Sequence, residues 1–263
     1  LNPSRRAAKP PISCFIRARN EGKRISRCVA AALQVADEVI VVDSGSTDDT
    51  VSRAEAAGAR VIAQPWLGWG RQKRVAEDHC RHDFLLDVDA DEIVSPELAS
   101  EIHSLFANGP PPLSIYRMRV VTVVPGGEDW PPFLIVHRHR LYDRRVIRAP
   151  DDDTADQFTP PVNVRIGRLR GALLHHSYQD LANLVAKFNN SSTTLALKGE
   201  PRPVTLRVLF GLPFYFFRHL LLRGMIRGGT YGVAIAGIAA YGRWLRDAKM
   251  HERYVTSRRR KDE

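Results

Sequence analysis

Cysteine is scarce: the chain has three among 263 residues, Cys14, Cys28 and Cys80, with neither CxxC nor metal-type spacing. A sparse, odd count argues against a disulfide framework and for a reducing compartment. Long apolar runs are also missing. The longest uncharged stretch of the C-terminal region, Gly228–Gly242, has 15 residues, short of the roughly 18 to 20 that a spanning helix needs. The opening "LNPSRRAAKPPISCF" carries basic residues but no apolar core of a secretory signal, so export is not expected. No internal repeat or low-complexity linker interrupts the chain. No RNA- or DNA-binding signature of the usual kinds is present, so nucleic acid is not an expected partner.

Positive charge is plentiful, and unevenly spread. The net charge is +10. From Val204 onward there are 12 Lys and Arg against 4 Asp and Glu, whereas residues 1–203 carry 27 against 25. The basic character therefore belongs to the tail, which suits an acidic partner such as a membrane surface. That tail, "VTLRVLFGLPFYFFRHLLLRGMIRGGTYGVAIAGIAAYGRWLR", interleaves Arg with Phe, Tyr and Trp. The mixture fits helices lying in a bilayer interface; an ordinary helix pair with a basic outer face is the alternative.

The rest reads as alternating strands and helices. "PISCFIRARN", "DEVIVVDSGS", "RVIAQPW" and "DFLLDVDAD" are strand-like. Between them lie helical patterns, such as Ile25, Cys28, Val29, Ala32 and Leu33 in "EGKRISRCVAAALQVA". Ser95 as N-cap, Pro96 in the first position and Glu97 in the first turn open a further helix. Four alternations in about 105 residues predict an open, mainly parallel α/β sheet. From about 113 the alternation stops. "LSIYRMRVVTVV", "FLIVHRHRLYD" and "GRLRGALLHHSY" look like longer strands, and a helix follows from Gln179. The expected organisation is an N-terminal extension (1–11), an α/β half (12–112), a second half of the same domain (113–203) and the basic helical tail (204–263).

Ligands of such sheets bind beyond the carboxyl ends of the strands, here Arg17–Glu21, Asp43–Thr47, Pro65–Gly70 and Asp87–Asp91. The last is the most unusual: "FLLDVDADEIVSPE" sets Asp87, Asp89, Asp91 and Glu92 within six positions. Like charges that close repel, and a divalent cation would offset them. Asp89 and Asp91 can approach one point as the chain turns, and hard oxygen ligands suit Mg²⁺ or Mn²⁺ together with substrate phosphates. The bland alternative is a solvated acidic turn with an Asp capping the next helix; Glu92 is expected to cap or support that helix.

"FIRARNEG", "VVDSGSTDDT", "GWGRQKRVAE" and "LLDVDADE" occur in that order, each at a strand end or on the helix after it. With them the sequence resembles family 2 glycosyltransferases of the GT-A fold, and within that family the bacterial lipopolysaccharide core β-1,4-glucosyltransferases. The four motifs cover about residues 12–100; "RLYD" and "LLHHSYQDL" extend the likeness to about 190. The resemblance implies an inverting hexosyltransferase using a nucleotide diphosphate sugar, UDP-glucose foremost, with Mg²⁺ or Mn²⁺ as cofactor. The acceptor would be a lipid-linked glycan such as lipopolysaccharide inner core, with the enzyme peripheral on the cytoplasmic face of the membrane.

By the same resemblance Arg17, Asn20 and Glu21 border the nucleotide base, and Asp43 holds uracil or ribose. Ser44 stands where the family often has a second acid. Arg71 and Lys73 face diphosphate or base, or else form a solvated helix face. Asp89 and Asp91 are the DxD that binds the sugar nucleotide and its metal, with His175 near the metal or pyrophosphate and His176 as the alternative histidine facing the site. An inverting transfer to a hydroxyl needs a general base. The acidic loop 151–157 offers Asp156 first and Asp153 second, with Gln157 as the rival for the terminal position. Two other functions fit less closely: transfer to polyprenyl phosphate, which needs no base, and a non-catalytic nucleotide-binding module at the membrane.

Overall fold

The computed structural model describes residues 9–124, 133–198 and 200–262. The first eight residues of the expected N-terminal extension lie outside the described residues. The chain divides into two compact units. One contains Ile135–His175 together with the described part of the chain up to Val121. The other contains the described parts of Thr122–Leu134 and His176–Glu263.

The first unit is built on β1 (Ile12–Ala18), β2 (Glu38–Asp43), β3 (Arg60–Ala63), β4 (Phe84–Asp89), β5 (Glu92–Val94), β6 (Ile115–Thr122), β7 (Leu134–Asp143) and β8 (Ile166–His175). They form one sheet in the order β3-β2-β1-β4-β7-β6-β8-β5. The first four strands are parallel, as their alternation with α1 (Ile25–Ala32), α2 (Thr50–Ala56) and α3 (Trp69–His79) predicts. β4 then pairs antiparallel with β7, and β5 with β8. α4 (Pro96–Phe106) starts as expected, with the Ser95 hydroxyl accepting from the Leu98 N–H at 3.2 Å and Pro96 in the first turn.

Strand side chains point to alternate faces, and both faces are covered. Cys14 and Ile16 pack with Cys28 and Val29 of α1 and with Leu98 and Ile102 of α4. Phe15, Ile40, Val42 and Leu85 pack with Ala76 of α3 and with Tyr142. All three cysteines are buried and free.

The register sets the strand ends level. Ala18 lies beside Asp43, Arg17 beside Asp89, and Asp43 beside Ala63. The polar ends named from sequence therefore share one edge.

The second unit is helical: α5 (Leu181–Lys198), α6 (Thr205–Phe217) and α7 (Gly229–Asp262). Met225, Ile235 and Leu184 form one small core, and Ala196, Val204 and Met250 another. A wide π turn, Arg218–Leu222, prolongs α6. Among the described residues, Thr205–Leu222 is the one stretch long and apolar enough to cross a bilayer by length and composition. Arg207 and Arg218 lie within it.

Candidate active site

The four carboxylates at the end of β4 meet cations of the chain itself. Arg140, almost fully buried on β7, sends Nη1 to Asp87 (2.9 Å) and Nη2 to Asp89 (2.6 Å) and Glu92 (3.1 Å). The register Leu86 opposite Leu141 explains the approach, because one step further sets Arg140 across from Asp87. Lys73 of α3, 1% exposed, reaches Asp87 at 2.6 Å. Arg17, at the end of β1, bonds Asp89 at 2.9 Å. The repulsion for which the sequence suggested a metal is thus offset by Arg140, Lys73 and Arg17.

Buried charges at this density need such pairing, and the acidities follow from it. Burial pushes the Asp89 carboxyl up, but Arg140 and Arg17 outweigh it and hold it well below the usual carboxylate range. Burial also lowers the Arg140 guanidinium, yet Asp87, Asp89 and Glu92 carry it well above its ordinary value. Glu92 is the exception. Burial raises it to about 7, against the opposing pull of Arg140. Its carboxylate also accepts the Asp89 N–H at 2.9 Å. Glu92 therefore closes the DxD turn, while Ser95 caps α4; the expected capping role of Glu92 is not its place.

Asp91 points elsewhere. Its Oδ2 lies 3.3 Å from His175 Nε2 and 3.6 Å from Arg24. β5 and β8 bring this about, since Glu92 pairs with His175 in their register. Burial raises Asp91, but the His175 hydrogen bond outweighs it and lowers its pKa; Asp91 in turn raises that of His175. A carboxylate and an imidazole converging at a partly exposed edge suit Mn²⁺ or Mg²⁺, whose remaining ligands come from substrate phosphates and water. Asp89 fits less directly, both its oxygens being held by guanidinia. No group of three or more His, Cys, Asp or Glu is placed for a metal among the described residues.

The acidic loop packs on the start of α3. Trp69 N–H donates to the Asp153 carbonyl at 2.9 Å, and Gly70 and Arg71 N–H donate to the Asp152 carbonyl at 2.9 and 3.2 Å. These carbonyls satisfy amides that a helix start leaves unpaired. The contact requires glycine at position 70, where a Cβ would lie 2.2 Å from the Pro150 carbonyl oxygen. Asp156 is carried into the cluster, with Oδ2 3.1 Å from Lys73 and 3.2 Å from Arg17. Burial raises its pKa, but Lys73 and Arg17 outweigh that and lower it. The side chain of Asp153 is exposed.

Other expected residues shape the edge. Asp43 accepts the Gly45 and Ser46 N–H groups at 3.0 and 2.9 Å and also the Ser46 hydroxyl. Asn20, at φ 56, accepts the Thr47 N–H at 2.8 Å. Glu21 bonds Arg24 Nε at 2.8 Å, and the Ser44 hydroxyl accepts from Gln72 at 3.1 Å. Arg71 is half-exposed and pairs with Asp151 at 2.9 Å, whereas Lys73 is buried and belongs to no solvated face.

Two residues were missed from sequence. Arg140 was legible in principle, because "HRHRLYD" puts an arginine among residues that β7 buries and a buried arginine needs acids. Trp69 pairs edge-on with Trp66 at 5.2 Å and lies under the Arg17 guanidinium at 5.3 Å. Nothing in its spacing signals that.

Residues 13–160 match the model of glycosyl transferase family 2. An uncharacterized glycosyltransferase of Rickettsia bellii is 34% identical, with 92% of this chain and 86% of that one covered. The lipopolysaccharide core biosynthesis glycosyltransferase LpsC of Rhizobium meliloti is 28% identical, with 95% and 96% covered. A solved glucosyl-3-phosphoglycerate synthase from Mycobacterium tuberculosis, with Mn²⁺, uridine diphosphate and glucosyl-3-phosphoglycerate bound, is 20% identical. That likeness covers 71% of this chain and 79% of the other, at a TM-score of 0.44.

Proposed function

Since the chain belongs to glycosyl transferase family 2, we propose that it transfers a hexose, glucose foremost, from a UDP-sugar to a hydroxyl of a lipid-linked glycan such as lipopolysaccharide inner core. The observation that carries the reading is the edge where Asp89, ending β4, and Asp91, in the turn before β5, lie beside Arg17, Lys73 and His175. Asp91 and His175 would hold Mg²⁺ or Mn²⁺, and the ion would neutralise charge on the departing diphosphate. Asp43, Asn20 and Ser44 keep the turn after β2 in the shape that receives the nucleotide. Arg17 and Lys73 supply positive charge next to Asp89.

Asp156 takes the proton from the acceptor hydroxyl. It is the one acid of its loop whose carboxylate bonds Arg17, the residue that also bonds Asp89. Its lowered pKa keeps it ionised at neutral pH, at some loss of basicity.

The second unit holds the enzyme at an anionic membrane surface. Leu206, Phe210, Phe214, Phe217 and Leu221 recur at helical spacing along α6 and its π turn, and each is more than half exposed. Such an apolar stripe flanked by arginine is the pattern of an interfacial helix. The test is transfer of label from UDP-[¹⁴C]glucose to glycolipid extracts with and without Mn²⁺. Metal-dependent transfer in the parent, lost in Asp91→Ala, is expected. Equal transfer by Asp91→Ala, or no UDP-glucose turnover by the parent, would overturn the reading.

A further inference from the structure

A cavity lies wholly within the helical unit. Its volume is about 250 Å³, and its walls come from α5, α7, the π turn and the chain before β7. The floor is aromatic: Phe133 stacks on Phe188 and on His219, each at 6.2 Å between ring centroids. Leu134 and Leu195, 45% and 50% exposed, give the mouth an apolar lip. Arg223, Arg243 and Arg246 form the other side.

These arginines are not equivalent. Arg246 is committed to Asp247 at 2.7 Å. Arg243 lies over the Tyr215 ring at 5.7 Å, and Arg223 forms no ion pair among the described residues. Asp247, which pairs with Arg246 and also acts on Arg243, is the one acid close by in the local sequence. No Asp or Glu occurs between Glu200 and Asp247, a stretch with seven arginines. His219 adds a buried Nδ1 that has no hydrogen-bond partner among the described residues. Burial, with Arg218, Arg223 and Arg243 nearby, lowers this imidazole to about 4, so it is neutral at physiological pH and can serve as a neutral donor or acceptor.

We propose that this cavity binds the phosphate headgroup of an anionic lipid, with the phosphate on Arg223 and Arg243, His219 hydrogen-bonded beside it, and the acyl chains leaving over Leu134 and Leu195. Guanidinium forks match phosphate oxygens, and an apolar lip next to them fits an amphiphile better than a free ion. A zwitterionic lipid would bring its own cation against the arginines. The site needs neither nucleotide sugar nor metal, so it goes beyond the transferase reading and stands or falls apart from it.

The test uses the full chain without donor or metal. Monomeric dihexanoyl phosphatidic acid, dihexanoyl phosphatidylcholine and inorganic phosphate are titrated calorimetrically at one ionic strength. Phosphatidic acid is expected to bind at least tenfold more tightly than either of the others. Arg223→Gln, and Ser191→Trp at an exposed position on the cavity wall, should each weaken it at least tenfold. Arg207→Gln removes the same charge outside the cavity and should stay within twofold. Equal binding of the two lipids, equal binding of phosphate and phosphatidic acid, or parent-like binding by a folded Ser191→Trp or Arg223→Gln variant would overturn the assignment. Circular dichroism identifies the folded variants, and either one suffices.

Discussion

Replacing Glu92 by Gln should change how stability depends on pH more than it changes stability itself. Glu92 is 1% exposed, and burial lifts its pKa from an ordinary 4.5 to about 7. Between those values the folded chain keeps a proton that the unfolded chain has released. Stability is therefore greatest below 4.5 and falls as pH rises through 7. At about 1.4 kcal/mol per pH unit, the gap amounts to about 3 kcal/mol when fully expressed. Gln cannot ionise, and its amide oxygen can still accept the Asp89 N–H that Glu92 accepts. Its amide nitrogen would face Arg140, a penalty that does not vary with pH, so the difference across pH is the quantity to read. Guanidinium unfolding followed by circular dichroism at pH 5, 7 and 8.5, at fixed ionic strength, should show the variant gaining about 2 to 3 kcal/mol on the parent over that range. A flat difference, or one that falls with pH, would refute the claim that burial dominates this carboxyl.

Asp156→Asn should lower kcat by about 10² to 10⁴ if it serves as general base, measured as label transfer to a hydroxyl acceptor; little loss would favour a phosphate acceptor. Gly70→Ala should reduce transfer and lower stability by about 1 to 3 kcal/mol, because its Cβ would meet the Pro150 and Ala155 carbonyl oxygens at 2.2 and 2.6 Å and displace the loop that carries Asp156. Thermal unfolding and kcat report the two effects separately. Phe210→Glu with Phe214→Glu, both on the exposed face of α6, should cut co-sedimentation with anionic vesicles by roughly tenfold or more, with turnover of a water-soluble acceptor unchanged.

The parallel half of the sheet was legible because each element there obeys a local rule. α1 shows its buried stripe at Ile25, Cys28, Val29 and Ala32, α4 its Ser-Pro start, and β4 ends in its acids. The later strands were recognisable as strands, but their pairing was not. Antiparallel contact of β4 with β7 depends on chain returning from more than fifty residues away. That unseen pairing is what delivers Arg140 to Asp87. The acidic cluster announced that cations must be present, but not whether they come from solvent or from the fold. The brief strand β5 went unnoticed for the same reason: three residues carry little periodicity, and only β8 gives them a partner. The candidate site was therefore readable as a set of acids, while the arginines and the lysine that balance them are a tertiary property.

That balance constrains how a donor can enter. Arg17 and Lys73 are already paired with Asp89, Asp87 and Asp156, so a diphosphate must compete for them. Asp156 is the partner easiest to displace. It stands on a loop rather than a strand, and its side chain is 26% exposed against 7% for Asp87. If the diphosphate takes over Arg17 and Lys73, Asp156 loses the two cations that lower its pKa. Its carboxyl then rises and becomes a stronger base just as the donor is in place. The free enzyme and the donor complex should consequently differ on their acidic limbs. The limb of kcat, which reports the complex, should lie at higher pH than that of kcat/KM, which reports free enzyme. Superimposed limbs, or a lower one for kcat, would mean that Asp156 keeps its cations throughout and that the diphosphate is held by other groups.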